Sequence, residues 1–188
     1  MTPAAGSGGE AGRPTLLCVG IAVVDVVTHV STPLTAGVKQ FADRITTAYG
    51  GPATTAAAAA ARLGVDVELV AALGDDDRGY ALRAALEVRG VGTSGMVVRD
   101  GVSTATSLVI VTPDGERTIV NATDARLREP LAPADAEAMM ARAAGVDAVL
   151  VDARWPAAAA LALAAADRAA VPGVLDLDRT DAGEHDRV

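Results

Sequence analysis

One stretch limits what this chain can fold into: Gly50-Gly51-Pro52-Ala53-Thr54-Thr55, followed by six alanines, Ala56 to Ala61, and closed by Arg62-Leu63-Gly64. The glycine pair ends an extended segment. Proline suits the first turn of a helix, where its missing N–H has no intrahelical partner to lose. Alanine propagates a helix well, and a glycine after the last turn stops it. Two glycines let the backbone itself approach a ligand, because no Cβ stands in the way. The N–H groups and the positive end of the helix dipole then face that ligand, which suits an oxygen-rich group such as a phosphate, a sulfonate or sugar hydroxyls. The same stretch is equally a tight strand-to-helix turn that brings a small-residue helix close to a sheet.

The rest of the chain supplies the sheet. Leu16 to Val24 is one continuous apolar run, expected to form a central parallel strand covered on both faces and to stop at Asp25. A carboxylate at the C-terminal end of such a strand lies where open α/β sheets bind ligands; its bland alternative is a turn or helix cap. Val65 to Leu73, Asp147 to Asp152 and Val171 to Asp178 are expected as further parallel strands, alternating with helices at Tyr80–Arg89, Ala132–Ala144 and Ala157–Ala169. Asp75, Asp76 and Asp77 precede the first of these helices and are explained as caps. Val26–Val30 and Phe41–Tyr49 break this alternation as short strands separated by Ser31-Thr32-Pro33. Asp114-Gly115 between Thr104–Thr112 and Glu116–Val120 signals a hairpin, with Asn121 after its second arm. Arg154 and Trp155 follow the Asp147–Asp152 strand on the expected ligand side, as a frame for a ligand or as a packing cap.

Composition narrows the partners. Of the 188 residues, 51% are hydrophobic but only 2% aromatic, so the core must be built from Ala, Val and Leu. A net charge of −8 argues against nucleic acid, which needs a basic face. Cys18, the one cysteine, sits in an apolar run and cannot build a disulfide framework. No segment is long and apolar enough for a membrane span, and residues 1–13 lack the pattern of a signal peptide, so a disordered tail on a cytoplasmic protein is expected. No Cys/His metal spacing, Gly-x-Ser-x-Gly elbow or P-loop occurs.

Taken in order, Gly20-x-x-x-x-Asp25, the inserted strands, Gly50-Gly51-Pro52-Ala53, Ala61-Arg62-Leu63-Gly64, Gly74-Asp75-Asp76 with Gly79, and Asp114-Gly115-Glu116-Arg117 resemble the ribokinase/PfkB family of sugar kinases. The resemblance implies a ribokinase-like α/β fold: a parallel sheet flanked by helices, with a small β-sheet lid formed by residues of about 26–49 and 102–121. It implies that Asp25 holds sugar hydroxyls and that Gly50 and Gly51 present backbone N–H groups to the sugar. Thr55 stands where most members carry asparagine, and one short hydroxyl replaces an amide there. That departure, with Ala148 to Trp155 and the Val174–Asp178 ending, resembles the sulfofructose kinases. In that subgroup a lid lysine, an asparagine after the hairpin and the arginine of an Arg-Trp pair grip the sulfonate, which maps onto Lys39, Asn121 and Arg154. Two cations and an amide suit a permanently charged anion. The resemblance also implies ATP and Mg2+ as cofactors and pairing of subunits through the lid.

The family's ATP site and its catalytic aspartate, in a Gly-Ala-Gly-Asp motif, lie in its C-terminal part. No such motif occurs between Met1 and Val188, and Asp181-Ala182-Gly183-Glu184 is no substitute. The chain is therefore expected to be the sugar-binding part of a truncated kinase, with no catalytic residue of its own and a bare sheet edge after the Val174 strand. Two other functions stay open at this stage: a non-catalytic sugar-binding or regulatory module, and a nucleoside kinase of the same fold. Lys39 and Arg154 speak against the last, since a nucleoside offers no anion to pair.

Overall fold

The computed structural model describes residues 12–177. Five strands form a parallel sheet: β1 (Thr15–Val19), β4 (Asp66–Val70), β6 (Val91–Gly92), β10 (Ala148–Asp152) and β11 (Gly173–Asp176), in the order β11-β10-β1-β4-β6. A second sheet holds β2 (Val23–His29), β3 (Arg44–Gly50), β8 (Thr106–Val111) and β9 (Arg117–Ala122) in the order β3-β2-β8-β9. A short parallel pair, β5 (Ala72–Gly74) with β7 (Val97–Arg99), completes the strands. The helices are α1 (Pro52–Arg62), α2 (Asp77–Val88), α3 (Pro133–Ala144) and α4 (Pro156–Arg168).

Strand parity explains the two cores. Successive side chains of a strand point to opposite faces. In β1, Leu17 and Val19 join Val149, Val151, Met139 and the alanines of α4 in one core, whereas Cys18 joins Leu69, Ala53, Ala57, Leu82 and Leu86 in the other. The parallel sheet is thus covered on both faces, which is why its strands are apolar throughout. Alanine-rich helices let the backbones come close to it, so a core almost without aromatic residues is still dense. Trp155 is the exception, buried at the start of α4 with its indole N–H donating to Glu129 O (3.0 Å).

Two expected strands are each split in two. The apolar run from Leu16 to Val24 is interrupted at Gly20-Ile21-Ala22, leaving β1 in the parallel sheet and β2 in the second sheet. Likewise the Val65–Leu73 run divides at Ala71 into β4 and β5. Both halves of each run are covered, so hydrophobicity alone carries no mark of the break. As a result Asp25 does not end a central strand: it is the third residue of β2, inside the second sheet.

The Asp-Gly hairpin forms as expected, with Gly115 N–H donating to Thr112 O (2.9 Å) at a φ of 86°. Asn121 lies within its second arm, β9, rather than after it. Asp76 caps α2 by accepting from Gly79 N–H (2.9 Å). It also accepts from Thr104 Oγ1 (2.6 Å) and Thr104 N–H (3.0 Å), tying the start of α2 to the segment that leads into β8. The expected tail, residues 1–13, lies mostly outside the described residues. Its last member, Arg13, donates to Gly64 O (2.9 Å) and pairs with Asp66 (3.2 Å). No helix among the described residues is long and apolar enough to cross a membrane.

Candidate functional site

The glycine turn behaves as its residues demand. Gly51 is the N-cap of α1, with φ 98°, and a Cβ there would collide with the Ile21 carbonyl oxygen. Gly50, which is buried, must be glycine for a different reason: a Cβ there would occupy the space of Asp25 Oδ2. The structure therefore brings together Asp25, Gly50 and Gly51, beside the break between the two sheets.

Register extends this cluster across the second sheet. Asp25 is opposite Ala48 on β3 and Ser107 on β8, and Ser107 is opposite Asn121 on β9. Residues paired across strands share a face, so Asp25, Ser107 and Asn121 form one polar row. Burial raises the Asp25 pKa above the usual carboxylate range, and a hydrogen bond from the Ser107 side chain opposes that shift. Ser107, almost fully buried, was not singled out from the sequence. A serine in an apolar strand carries no signal until its two neighbours in the row are known.

Asp152 was likewise missed as a functional residue and noted only as a strand end. Its carboxylate is 1% exposed and accepts three backbone N–H groups. Oδ2 takes Ile21 N–H (3.0 Å) and Ala53 N–H (3.0 Å), and Oδ1 takes Arg154 N–H (2.9 Å). Gly20 lies so close that any side chain there would overlap this carboxylate. The Ala53 N–H, in the first turn of α1, is thus taken by a carboxylate of the chain itself. Thr54, fully buried, closes the arrangement by donating its hydroxyl to Ile21 O (2.9 Å).

The remaining expected residues, Thr55, Arg154 and Lys39, are not members of the row. Thr55 is exposed on the first turn of α1, its N–H donating to Gly51 O (2.8 Å). Arg154 is exposed, two residues past Asp152. Lys39 is outside the polar row, in the connection between β2 and β3, with its ammonium 5.2 Å from the centre of the Phe41 ring. A cleft of about 290 Å3 lies elsewhere, lined by Val70, Met96, Val97, Leu131, Met139 and Arg142 among others. Its guanidinium is already paired with Glu68 (3.0 Å), and it shares no residue with the polar row. The row is the better candidate, because it gathers a carboxylate, a hydroxyl and an amide beside glycine backbone.

The sequence profile of the pfkB family carbohydrate kinases matches residues 13–183. The chain belongs to that family. A candidate ribokinase of Agrobacterium tumefaciens superposes on this pfkB-family chain with a TM-score of 0.80 and 36% identity, covering 88% of this chain and 53% of the other. Ribokinase of Arabidopsis thaliana, solved with ribose and ATP, gives a TM-score of 0.73 at 23% identity, over 87% of this chain and 53% of that one; at that identity the likeness concerns the fold. This pfkB-family chain thus spans about half the length of the solved structures it matches. Among curated proteins, an ATP-dependent ribose-1-phosphate kinase of Halopiger xanaduensis is 42% identical over 67 residues, 36% of this chain and 23% of that protein. Fructokinase-1 of Oryza sativa subsp. japonica is 43% identical over 70 residues, 37% of this chain and 22% of that protein. These names span different sugars; what they share is the kinase lineage.

The family implies ATP and Mg2+ as cofactors. Among the described residues, no group of three His, Cys, Asp or Glu side chains is arranged to hold a metal. In the first turn of α1, the Ala53 N–H is taken by Asp152.

Proposed function

We propose that this chain is the sugar-binding part of an ATP-dependent pfkB-type kinase that phosphorylates a hydroxyl of a small ketose, with 6-deoxy-6-sulfofructose as one candidate among ketose and phospho-sugar substrates. The observation that carries the reading is the polar row Asp25–Ser107–Asn121 set against Gly50 at the junction of the two sheets. Asp25 accepts hydrogen bonds from the sugar hydroxyls, held in place by Ser107. The Gly50 and Gly51 backbone contributes amide contacts, and Thr55 gives one hydroxyl. Asn121, Lys39 and Arg154 are the groups for a sulfonate, supported by their residue types and their match to the sulfofructose kinases. The second sheet, residues of about 26–49 and 102–121, is the lid over that sugar. ATP and Mg2+ would bind a C-terminal part, which also brings the catalytic base, and the protein would work in the cytoplasm.

Two copies pairing through the lid is part of this reading. The face of the second sheet opposite Asp25 carries Ile45, Leu108 and Val120, which are 64%, 42% and 59% exposed. Exposed apolar area of that kind favours a protein partner.

The experiment is an ATP-consumption assay of a version extended by the native downstream sequence, against ketoses and sulfosugars. Turnover with a ketose is expected; silence on every sugar defeats the reading. Arg154→Met separates the finer claim: sulfosugar affinity should collapse while that for neutral fructose barely moves. Equal losses would make Arg154 structural.

A second reading, a non-catalytic sugar-binding module, rests on the same polar row Asp25–Ser107–Asn121 without phosphoryl transfer. It expects the 188-residue chain to gain thermal stability from a ketose while the extended version shows no turnover.

A further inference from the structure

We infer that Asp152 is the positioning residue of the candidate sugar site, coupling the junction of the two sheets to Arg154. The inference rests on the sugar-site reading above and adds a residue that does not touch the sugar.

The three N–H groups that Asp152 accepts come from three segments with different tasks. Ile21 is the middle of the break between β1 and β2, so it sets how the second sheet leaves the parallel sheet. Ala53 is the second residue of α1, directly after the Gly50-Gly51-Pro52 turn. Arg154 is the candidate anion-reading side chain, and its own N–H is the third donor. A buried carboxylate is costly unless such donors surround it, so the three segments are drawn to one point. The Ile21 peptide is held from both sides, its N–H by Asp152 and its carbonyl oxygen by the Thr54 hydroxyl (2.9 Å). Glycine at position 20 is what admits the carboxylate this close. Asp152 thus accepts backbone N–H groups from the sheet junction, from the first turn of α1 and from the Arg154 segment. Asp152 therefore fixes the hydroxyl-binding end of the site, at Asp25 and Gly50, relative to the anion-binding end at Arg154.

The test compares the wild-type chain with Asp152→Asn, Asp152→Glu and Arg154→Met, and with Asp152→Asn combined with Arg154→Met. Binding of D-fructose and of 6-deoxy-6-sulfofructose is titrated, and backbone amides are followed by NMR. Asparagine keeps the shape but turns one acceptor oxygen into a donor. Asp152→Asn should weaken sulfosugar binding roughly tenfold or more, the scale of a lost charge-assisted hydrogen bond, and fructose binding less. Amide exchange at Ile21 and Ala53 should quicken, and the Gly50, Gly51 and Arg154 resonances should move. In the Arg154→Met background the extra sulfosugar loss should vanish, since the two residues then no longer act through one another. A lower melting temperature with unchanged sugar preference and unmoved Gly50, Gly51 and Arg154 resonances would overturn the inference, leaving Asp152 a purely structural residue. If Asp152→Asn does not fold, Asp152→Glu, which keeps the charge one methylene further out, decides by the same readouts. If the wild type binds neither sugar, the substrate reading fails by itself. The coupling then stands or falls on whether Asp152→Asn moves the Gly50, Gly51 and Arg154 amides together.

Discussion

Asp25 and Gly50 occupy adjoining strands so closely that a single methyl group at position 50 would overlap the Asp25 carboxylate. Gly50→Ala should therefore displace Asp25 rather than unfold the chain. A stability loss of about 1–3 kcal/mol, the usual range for overpacking, is expected, with ketose binding abolished. Gly51→Ala should do more damage, because it adds backbone strain at φ 98° to a collision with Ile21 O. Chemical denaturation and sugar titration of the two variants check this order; equal behaviour would refute it.

The pH dependence of Asp25 has a definite sign. Burial raises its folded pKa, with the Ser107 hydrogen bond opposing. Ionisation thus costs more in the folded chain than in the unfolded one. That penalty is absent below the ordinary aspartate pKa and fully present once the pH exceeds the raised value. Asp25→Asn removes it, so the variant should melt slightly higher than wild type at neutral pH, by no more than a few degrees. The difference should disappear in acid, and sugar binding should be lost at every pH. Calorimetry across the acid range measures the first point; a variant less stable at neutral pH would contradict it.

Asp76 works in the opposite direction. Burial is the largest single influence on its carboxyl and pushes the pKa up. The hydrogen bonds from the Thr104 hydroxyl and from the Gly79 and Thr104 amides, with Arg78 nearby, together outweigh it, and the net pKa is lowered. Its contribution is present above the unfolded aspartate pKa and is lost as the pH falls through the lowered folded value. Asp76→Ala should cost about 1–3 kcal/mol at neutral pH, through the lost cap and the stranded Thr104 groups. Urea titration at neutral and at strongly acidic pH should show that cost shrinking in acid.

Cys18 should be inert while the chain is folded. It is fully buried, and desolvation, aided by the nearby Asp152 charge, pushes its thiol pKa up to about 12. Thiolate is the reactive form. Iodoacetamide in mildly alkaline buffer should label it only at the rate of global opening. Labelling as fast as in denaturant would show that the strand bearing it is not protected.

The pieces that were legible in the sequence are those with local causes. Gly50-Gly51-Pro52 announces its own turn through backbone freedom and a missing donor, and Asp114-Gly115 announces its hairpin. The alternation of apolar strands with alanine helices gives the doubly covered sheet. The sheet junction at Gly20-Ile21-Ala22 was hidden because residues on both sides of it are apolar, and Asp25 was therefore assigned to the wrong sheet. Ser107 became visible only through the register of β2 with β8. Asp152 was conspicuous as a strand end, but its meaning depends on donors 131 and 99 residues earlier in the chain. Trp155 resolved toward the plainer of its two alternatives, a packing cap bonded to Glu129.

That distance has a consequence for how the protein is made. Gly20 and the Gly50 turn leave the ribosome long before Asp152 is translated. Until then the Ile21 and Ala53 amides lack the carboxylate that accepts them in the folded chain. Contacts so remote in sequence close slowly. A nascent chain stalled before β10 should hold α1 beside β1 and β4 with the second sheet swinging loose, and the arrival of one carboxylate should clamp it.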